Sequence, residues 1–179
     1  MEKLENGYVQ VYTGNGKGKT TAALGQGVRA AGDELRVYMV QFLKTFDTGE
    51  LKSIKKLEPY FKIFRFEKPR GFFWTLNDEE KAELKVEVQE EYKFCYASLE
   101  KKQCDVLIMD EVMGALSNNL VSVEQILELI KIKPKNVELI LTGRNVPEEI
   151  IQNADLVTEM KKVKHYFSKG VVARKGIEY

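Results

Sequence analysis

The residues Thr13-Gly14-Asn15-Gly16-Lys17-Gly18-Lys19-Thr20-Thr21 bring three glycines, two lysines and three threonines into one short run. Glycines let successive backbone N–H groups converge on the oxygens of a phosphate. Lys19 adds a mobile point charge, and Thr20 adds a hydroxyl suited to Mg²⁺. Gly18-Lys19-Thr20 completes the pattern GxxxxGK[ST], in which the lysine reaches the phosphates and the hydroxyl reaches the metal. Thr13 stands where that pattern has its first glycine, while Gly14 and Gly16 keep the loop flexible. The bland reading is a glycine-rich turn that happens to hold two lysines. A strand before it, a helix after it and a full GKTT argue for phosphate binding.

A nucleotide site needs a second half. Asp110-Glu111 directly follows the apolar run Asp105 to Met109. Mg²⁺ takes hard oxygen ligands and keeps several waters, so one or two carboxylates suffice. An acidic pair that simply ends a strand is the alternative. Arg144, in Thr142-Gly143-Arg144-Asn145, is placed either to pair with phosphate through its planar fork or to be a solvated turn residue. Gln41 and Lys44 close the second strand on the same edge, with weaker claims. Gly71-Phe72-Phe73-Trp74 is unusual for a plain ATPase: it is either core or interface, or an apolar platform for a large flat ligand.

These residues require a scaffold of alternating elements. Tyr8–Tyr12, Arg36–Phe42, Lys62–Phe66, Asp105–Met109, Val137–Leu141 and Leu156–Glu159 read as strands, the fourth and fifth buried on both faces. Helices are expected after the phosphate loop up to about Gly32, from about Asp78 to Lys102, and from a Ser122/Gln125 capping box to just before Pro134. Pro147 suits the first turn of another. The long helix is expected to bury Ala82, Val88, Tyr92, Cys95 and Leu99. The fold class expected is α/β, a mostly parallel sheet with helices on both faces and its ligands at the carboxyl ends of the strands.

Composition narrows the functional classes. The 179 residues fit a single domain spanning 1–179, with no repeat or linker. Lys and Arg number 28 against 27 Asp and Glu, so the net charge is +1 and a nucleic-acid coat is not expected. Cys95 and Cys104 lack a CxxC partner, so neither zinc nor a disulfide framework is expected. The single histidine, His165, argues against a histidine triad. Met1 to Gly7 lacks the apolar run of a secretory leader, and no stretch approaches the roughly 18 apolar residues of a membrane span. A cytoplasmic protein with reduced thiols is the expectation.

The chain resembles the ATP:corrinoid adenosyltransferases from about Gly7 to Tyr179. The resemblance rests on GNGKGKTT at 14–21, VQF-x-K at 40–44, GF-x-W at 71–74, the pair at 110–111 and LTGRN at 141–145. ADLVTEM at 154–160, VKH at 163–165 and GIEY at 176–179 extend it. It implies a RecA-like P-loop fold and transfer of the 5′-deoxyadenosyl group of ATP to the cobalt(I) of a corrinoid, with tripolyphosphate leaving. It further implies that Asn15 to Thr21 surround the triphosphate and that Thr20 and Glu111, with Asp110 beside them, hold Mg²⁺. Phe72 and Trp74 would displace the corrinoid's lower axial ligand. A homodimer supplied with electrons by a reduced, flavodoxin-like flavoprotein is also implied. Pro69, Phe73, Met113 and Arg174 depart from the family pattern. Two other classes fit the same loop: an ATPase or kinase acting at the γ-phosphate, and a nucleotide-gated binding protein that docks a partner on Phe72 to Trp74.

Overall fold

A computed structural model of the chain describes residues 4–179; the first three residues of the Met1–Gly7 segment lie outside the described residues. Six strands form one sheet: β1 (Val9–Thr13), β2 (Val37–Gln41), β3 (Phe61–Phe64), β4 (Val106–Asp110), β5 (Glu138–Thr142) and β6 (Leu156–Glu159). Their spatial order is β3-β2-β4-β5-β1-β6, and every pairing is parallel. Parallel strands need crossover connections, and the helices supply them.

Side chains alternate across each strand, so each one feeds two apolar layers. On one face Met39, Ile108 and Ile140 pack with Ala23, Ala30 and Ala31 of α1 (Lys19–Gly32) and Ile54 of α2 (Gly49–Ile54). On the other, Val40, Leu107, Met109, Leu139 and Leu141 meet α3 (Asp78–Glu100), α4 (Val112–Ser117), α5 (Val123–Ile132) and α6 (Glu148–Gln152). Both faces of the sheet are therefore covered, as expected for this class.

The cap residues also behave as their chemistry requires. Ser122 and Gln125 form a reciprocal capping box at the start of α5. Asn77 and Glu80 form another at the start of α3, one that the sequence reading did not single out. Pro147 is the N-cap of α6 and so sits just outside its first turn.

The buried apolar face of α3 differs from the expected one at a single position. Ala82 is exposed, and Leu84 takes its place in the buried stripe. Ala82 and Val88 are six apart, which at about 3.6 residues per turn points them in different directions, whereas Leu84 and Val88 are four apart and share a face.

The register sets the carboxyl edge of the sheet. Gln41 stands beside Asp110, and Tyr12 beside Thr142. Chemistry-bearing residues from β1, β2, β4 and β5 thus reach one edge.

Candidate functional site

Thr13 is the last residue of β1, so the turn itself begins at Gly14, whose φ is +100°. This explains why a threonine can replace the pattern's first glycine: it lies in the strand and needs no unusual backbone. Gly14 is required by contact as well as by conformation, and Gly16 by contact. A Cβ at either would come within 2.5 Å or 2.6 Å of the Met160 carbonyl oxygen, just past β6. The Gly16 N–H donates to that same carbonyl at 2.6 Å. The end of β6 is therefore the floor of the loop.

Lys19 opens α1, and its Nζ donates to the carbonyls of Gly14 and Gly16 at 2.8 and 2.9 Å. Burial lowers its pKa first, and nearby Arg144 lowers it further. A cation that is poorly solvated and close to another cation is well placed to gain from an anion. The N-terminus of α1 adds its positive dipole end.

Thr20 Oγ1 donates to Asp110 Oδ1 at 2.8 Å. Asp110 is fully buried and takes three further donors: Thr142 Oγ1 at 2.7 Å, Lys44 Nζ at 2.7 Å and Gln41 Nε2 at 3.3 Å. Gln41, expected beside a nucleotide, is instead fully buried behind Asp110, where Arg65 holds its Oε1 at 2.6 and 2.8 Å. Glu111 begins α4 with φ +61°, and its N–H donates to Thr142 Oγ1 at 2.9 Å. Burial, and then the charge of Asp110, raise the Glu111 pKa. Among the described residues no three His, Cys, Asp or Glu side chains converge on a metal position. The hydroxyl of Thr20 with the carboxylates of Asp110 and Glu111 is nonetheless a hard-oxygen set suited to Mg²⁺, which fills its shell with phosphate oxygens and water.

A cavity of about 410 Å³ lies over this edge, lined by Asn15 to Thr21, Glu111, Arg144, His165 and Glu178. The last two went unassigned in the sequence, although VKH and GIEY carry them. Lys17 Nζ donates to Glu178 at 2.8 Å and to the Ile177 carbonyl and Tyr166 Oη at 3.1 Å. Tyr166 Oη also donates to Glu178, and Arg174 Nε reaches that carboxylate at 3.3 Å. Arg174, with Lys17 and Tyr166, holds the Glu178 carboxyl well below the usual carboxylate range. The C-terminal segment is thus pinned across the phosphate loop, and Arg174 has a defined partner there.

A second, largely apolar cavity of about 720 Å³ adjoins the first. Phe72, Phe73 and Trp74 line it, and so do Glu67, Arg70 and Tyr179. Phe72 and Trp74 stack with ring centroids 4.7 Å apart and planes at 4°, yet they are 59% and 77% exposed. The core reading is excluded for Phe72 and Trp74, whereas Phe73 is partly buried and packs against the core. Arg70 anchors their loop to α3 through Glu87 at 3.0 Å. Glu111 lies on the wall of both cavities.

A parallel sheet carrying a glycine-rich phosphate loop and a strand-end aspartate defines a P-loop nucleotide-binding protein. Solved structures agree on the fold. The flagellar accessory protein FlaH from Methanocaldococcus jannaschii superimposes with a TM-score of 0.56 at 15% identity, over 87% of this chain and 72% of that one. The KaiC-like protein PH0186 from Pyrococcus horikoshii gives 0.54 at 15%, over 89% and 74%. Both place the chain in the RecA-like class.

Sequence relationships go further. A model of the ATP:corrinoid adenosyltransferase BtuR/CobO/CobP family matches residues 5–179. The corrinoid adenosyltransferase of Escherichia coli K12 is 34% identical over 176 residues, covering 98% of this chain and 87% of the relative. The corrinoid adenosyltransferase CobA of Salmonella typhimurium LT2 is 36% identical over 177 residues, with the same two coverages of 98% and 87%. The chain belongs to the ATP:corrinoid adenosyltransferase family.

Proposed function

We propose that this chain transfers the 5′-deoxyadenosyl group of ATP to the cobalt(I) of a corrinoid, either cobalamin or a precursor such as cobyrinic acid a,c-diamide. The electron pair on cobalt(I) forms the cobalt–carbon bond at C5′. The C5′–oxygen bond breaks, and its electrons leave with tripolyphosphate. The observation that carries this reading is the shared wall at Glu111, which sets a phosphate-binding cavity against an aromatic one. A nucleotide in the first and a large flat ligand in the second would meet there.

The residues then have defined tasks. The N–H groups of the loop from Gly14 to Thr21 (Asn15, Lys17 and Gly18 among them) and Lys19 hold the triphosphate, Gly16 shapes the loop through its bond to Met160, and Arg144 adds a second cation. Charge developing on the leaving oxygen is best stabilised by groups fixed in advance, and a lysine and a row of N–H groups on a rigid helix start meet that need. Mg²⁺, when bound, would neutralise triphosphate charge. Thr20 and Asp110, with Glu111, are the residues to hold it, while Lys44 and Thr142 orient Asp110. Phe72 and Trp74 present a hydrocarbon face that cannot coordinate cobalt, so a corrinoid pressed against it would lose its lower axial ligand. The reading includes a homodimer, supported by the exposed Leu156 and Val157 on the edge strand β6. It also includes a reduced flavoprotein donor and a cytoplasmic setting, in line with two free cysteines; no described helix is long and apolar enough to cross a membrane.

Incubation with ATP, Mg²⁺ and a chemically reduced corrinoid tests the reading. Tripolyphosphate and a new alkylcobalt absorbance are expected in equal amounts. Phosphate or ADP without an alkylcobalt product would make the chain a γ-phosphate enzyme instead.

A further inference from the structure

The charges on the wall of the aromatic cavity bear on which corrinoid enters it, an inference that rests on the transferase reading above. Three acids line the cavity: Asp47, Glu67 and Glu111. Two cations do as well, but each is committed to carboxylates outside the lining. Lys44 Nζ lies 2.7 Å from Asp110 and 3.9 Å from Glu50. Arg70 Nη2 lies 3.0 Å from Glu87 and 3.7 Å from Glu83.

Glu67 is the acid nearest the aromatic loop in sequence, and it is held in place. Its Oε1 accepts the Leu43 N–H at 2.6 Å. Behind it lies Glu91 of α3, fully buried, with neither carboxyl oxygen in a hydrogen bond to an ordinary donor. Whatever proton the two acids share, Glu67 offers no positive charge to the cavity.

Corrinoids share one ring system and differ at its rim, where the side chains end in carboxylates or in carboxamides. Asp47 is paired with Lys52 at 3.1 Å, so a carboxylate entering this cavity would meet Glu67 and Glu111 with both lining cations already paired, and like charges brought together without a partner oppose binding. A carboxamide carries no charge, and its N–H can donate to Glu67 or Asp47. We propose that this chain selects amidated corrinoids over polycarboxylate ones, with Glu67 as the discriminating residue.

Trp74 is the only tryptophan in the chain and stands on the cavity wall, so quenching of its fluorescence reports corrinoid binding without any chemistry. Cobalt(II) cobinamide, whose rim is amidated, is to be titrated against cobalt(II) cobyrinic acid a,c-diamide, most of whose rim is carboxylate. The same pair, reduced to cobalt(I), is to be compared by kcat/KM.

Cobinamide is expected to bind on the order of tenfold more tightly at low salt, the ratio shrinking as salt screens the repulsion. Glu67→Gln should bring the ratio down to about threefold or less, because one of the repelling charges is gone. Asp47→Lys, on the exposed rim, should narrow it too and serves if the Glu67 variant fails to fold. Equal affinities in the native chain, or tighter binding of the polycarboxylate, would overturn the selectivity while leaving the transferase reading intact. If neither corrinoid quenches Trp74 or is adenosylated, the transferase reading fails and the selectivity with it.

Discussion

Thr20 and Asp110 stand ninety residues apart in the sequence and are joined by a hydrogen bond of 2.8 Å. One lies in the first turn of the helix after the phosphate loop, and the other ends the central strand β4. Lys44, in the loop just past β2, and Thr142, at the end of β5, reach the same carboxylate. Four segments of the chain therefore meet on one buried aspartate before any ligand is considered.

Asp110 and Glu111 should separate in a metal titration. Asp110→Asn replaces one of the two acceptor oxygens by an NH2 group and leaves Lys44 without its nearest carboxylate, so a stability loss of about 3–5 kcal/mol is expected. Glu111 is only partly buried, and Glu111→Gln should change stability by about 0.5 kcal/mol or less. The same variant should raise the Mg²⁺ midpoint of activity severalfold. An unchanged midpoint would leave Asp110 as the sole carboxylate of that site.

Lys19→Ala removes a charge-assisted contact to the triphosphate, worth about 1.5–3 kcal/mol, or roughly 10- to 150-fold in affinity. Binding of a fluorescent ATP analogue measures this directly. Affinity within twofold of the native chain would take the phosphate role away from this loop.

The exposure of Phe72 and Trp74 alters what their removal should do. Core aromatics lose about 3–5 kcal/mol on truncation, whereas an exposed stacked pair contributes about 0.5–1.5 kcal/mol. Phe72→Ala and Trp74→Ala should therefore melt close to the native chain. Their turnover should fall most when a weak reductant must form cobalt(I) on the protein. It should fall least when cobalt(I) is supplied ready-made by a strong reductant. Equal losses in both assays would remove the axial-ligand role.

Glu91 gives a pH signature. Burial, reinforced by Glu67, pushes its pKa up to about 9, against a carboxylate's ordinary 4.5. The unfolded chain thus releases this proton near pH 4.5 while the folded chain keeps it. Stability falls as pH rises through that window, by up to about 1.4 kcal/mol per pH unit from this one group, and the loss levels off above about pH 9. Glu91→Gln keeps a donor toward Glu67 and removes the titration. Denaturant midpoints from about pH 5 to 9 should fall for the native chain and stay flatter for the variant, with the gap widest at high pH. Parallel profiles would mean that Glu91 is ionised in the folded chain.

What could be read from the sequence was local. The phosphate loop is contiguous, so its glycines, Lys19 and Thr20 declare their chemistry by spacing alone. Asp110 is legible because a doubly buried strand leaves few polar positions, and those at its carboxyl end face ligand. The same logic applied to Val137–Leu141 stops one residue short of Thr142, which binds the Asp110 carboxylate. The alternation of strands and helices also settles the fold class, since parallel strands admit few other arrangements.

Tertiary structure decided whatever depends on who meets whom. An aromatic cluster has the same composition in a core as on an open wall, so only packing could show Phe72 and Trp74 exposed. Gln41 reads as a ligand-edge residue until Arg65 and Asp110 close around it. Lys17 and Glu178 are 161 positions apart, and no local pattern predicts a contact across such a span. Glu91 looks like one more solvated acid on a charged helix, and α3 turns it inward against Glu67. Hydrophobic periodicity reports which face of an element is apolar; it says nothing of which polar side chains the fold will bring together, because their energies depend on partners from elsewhere in the chain.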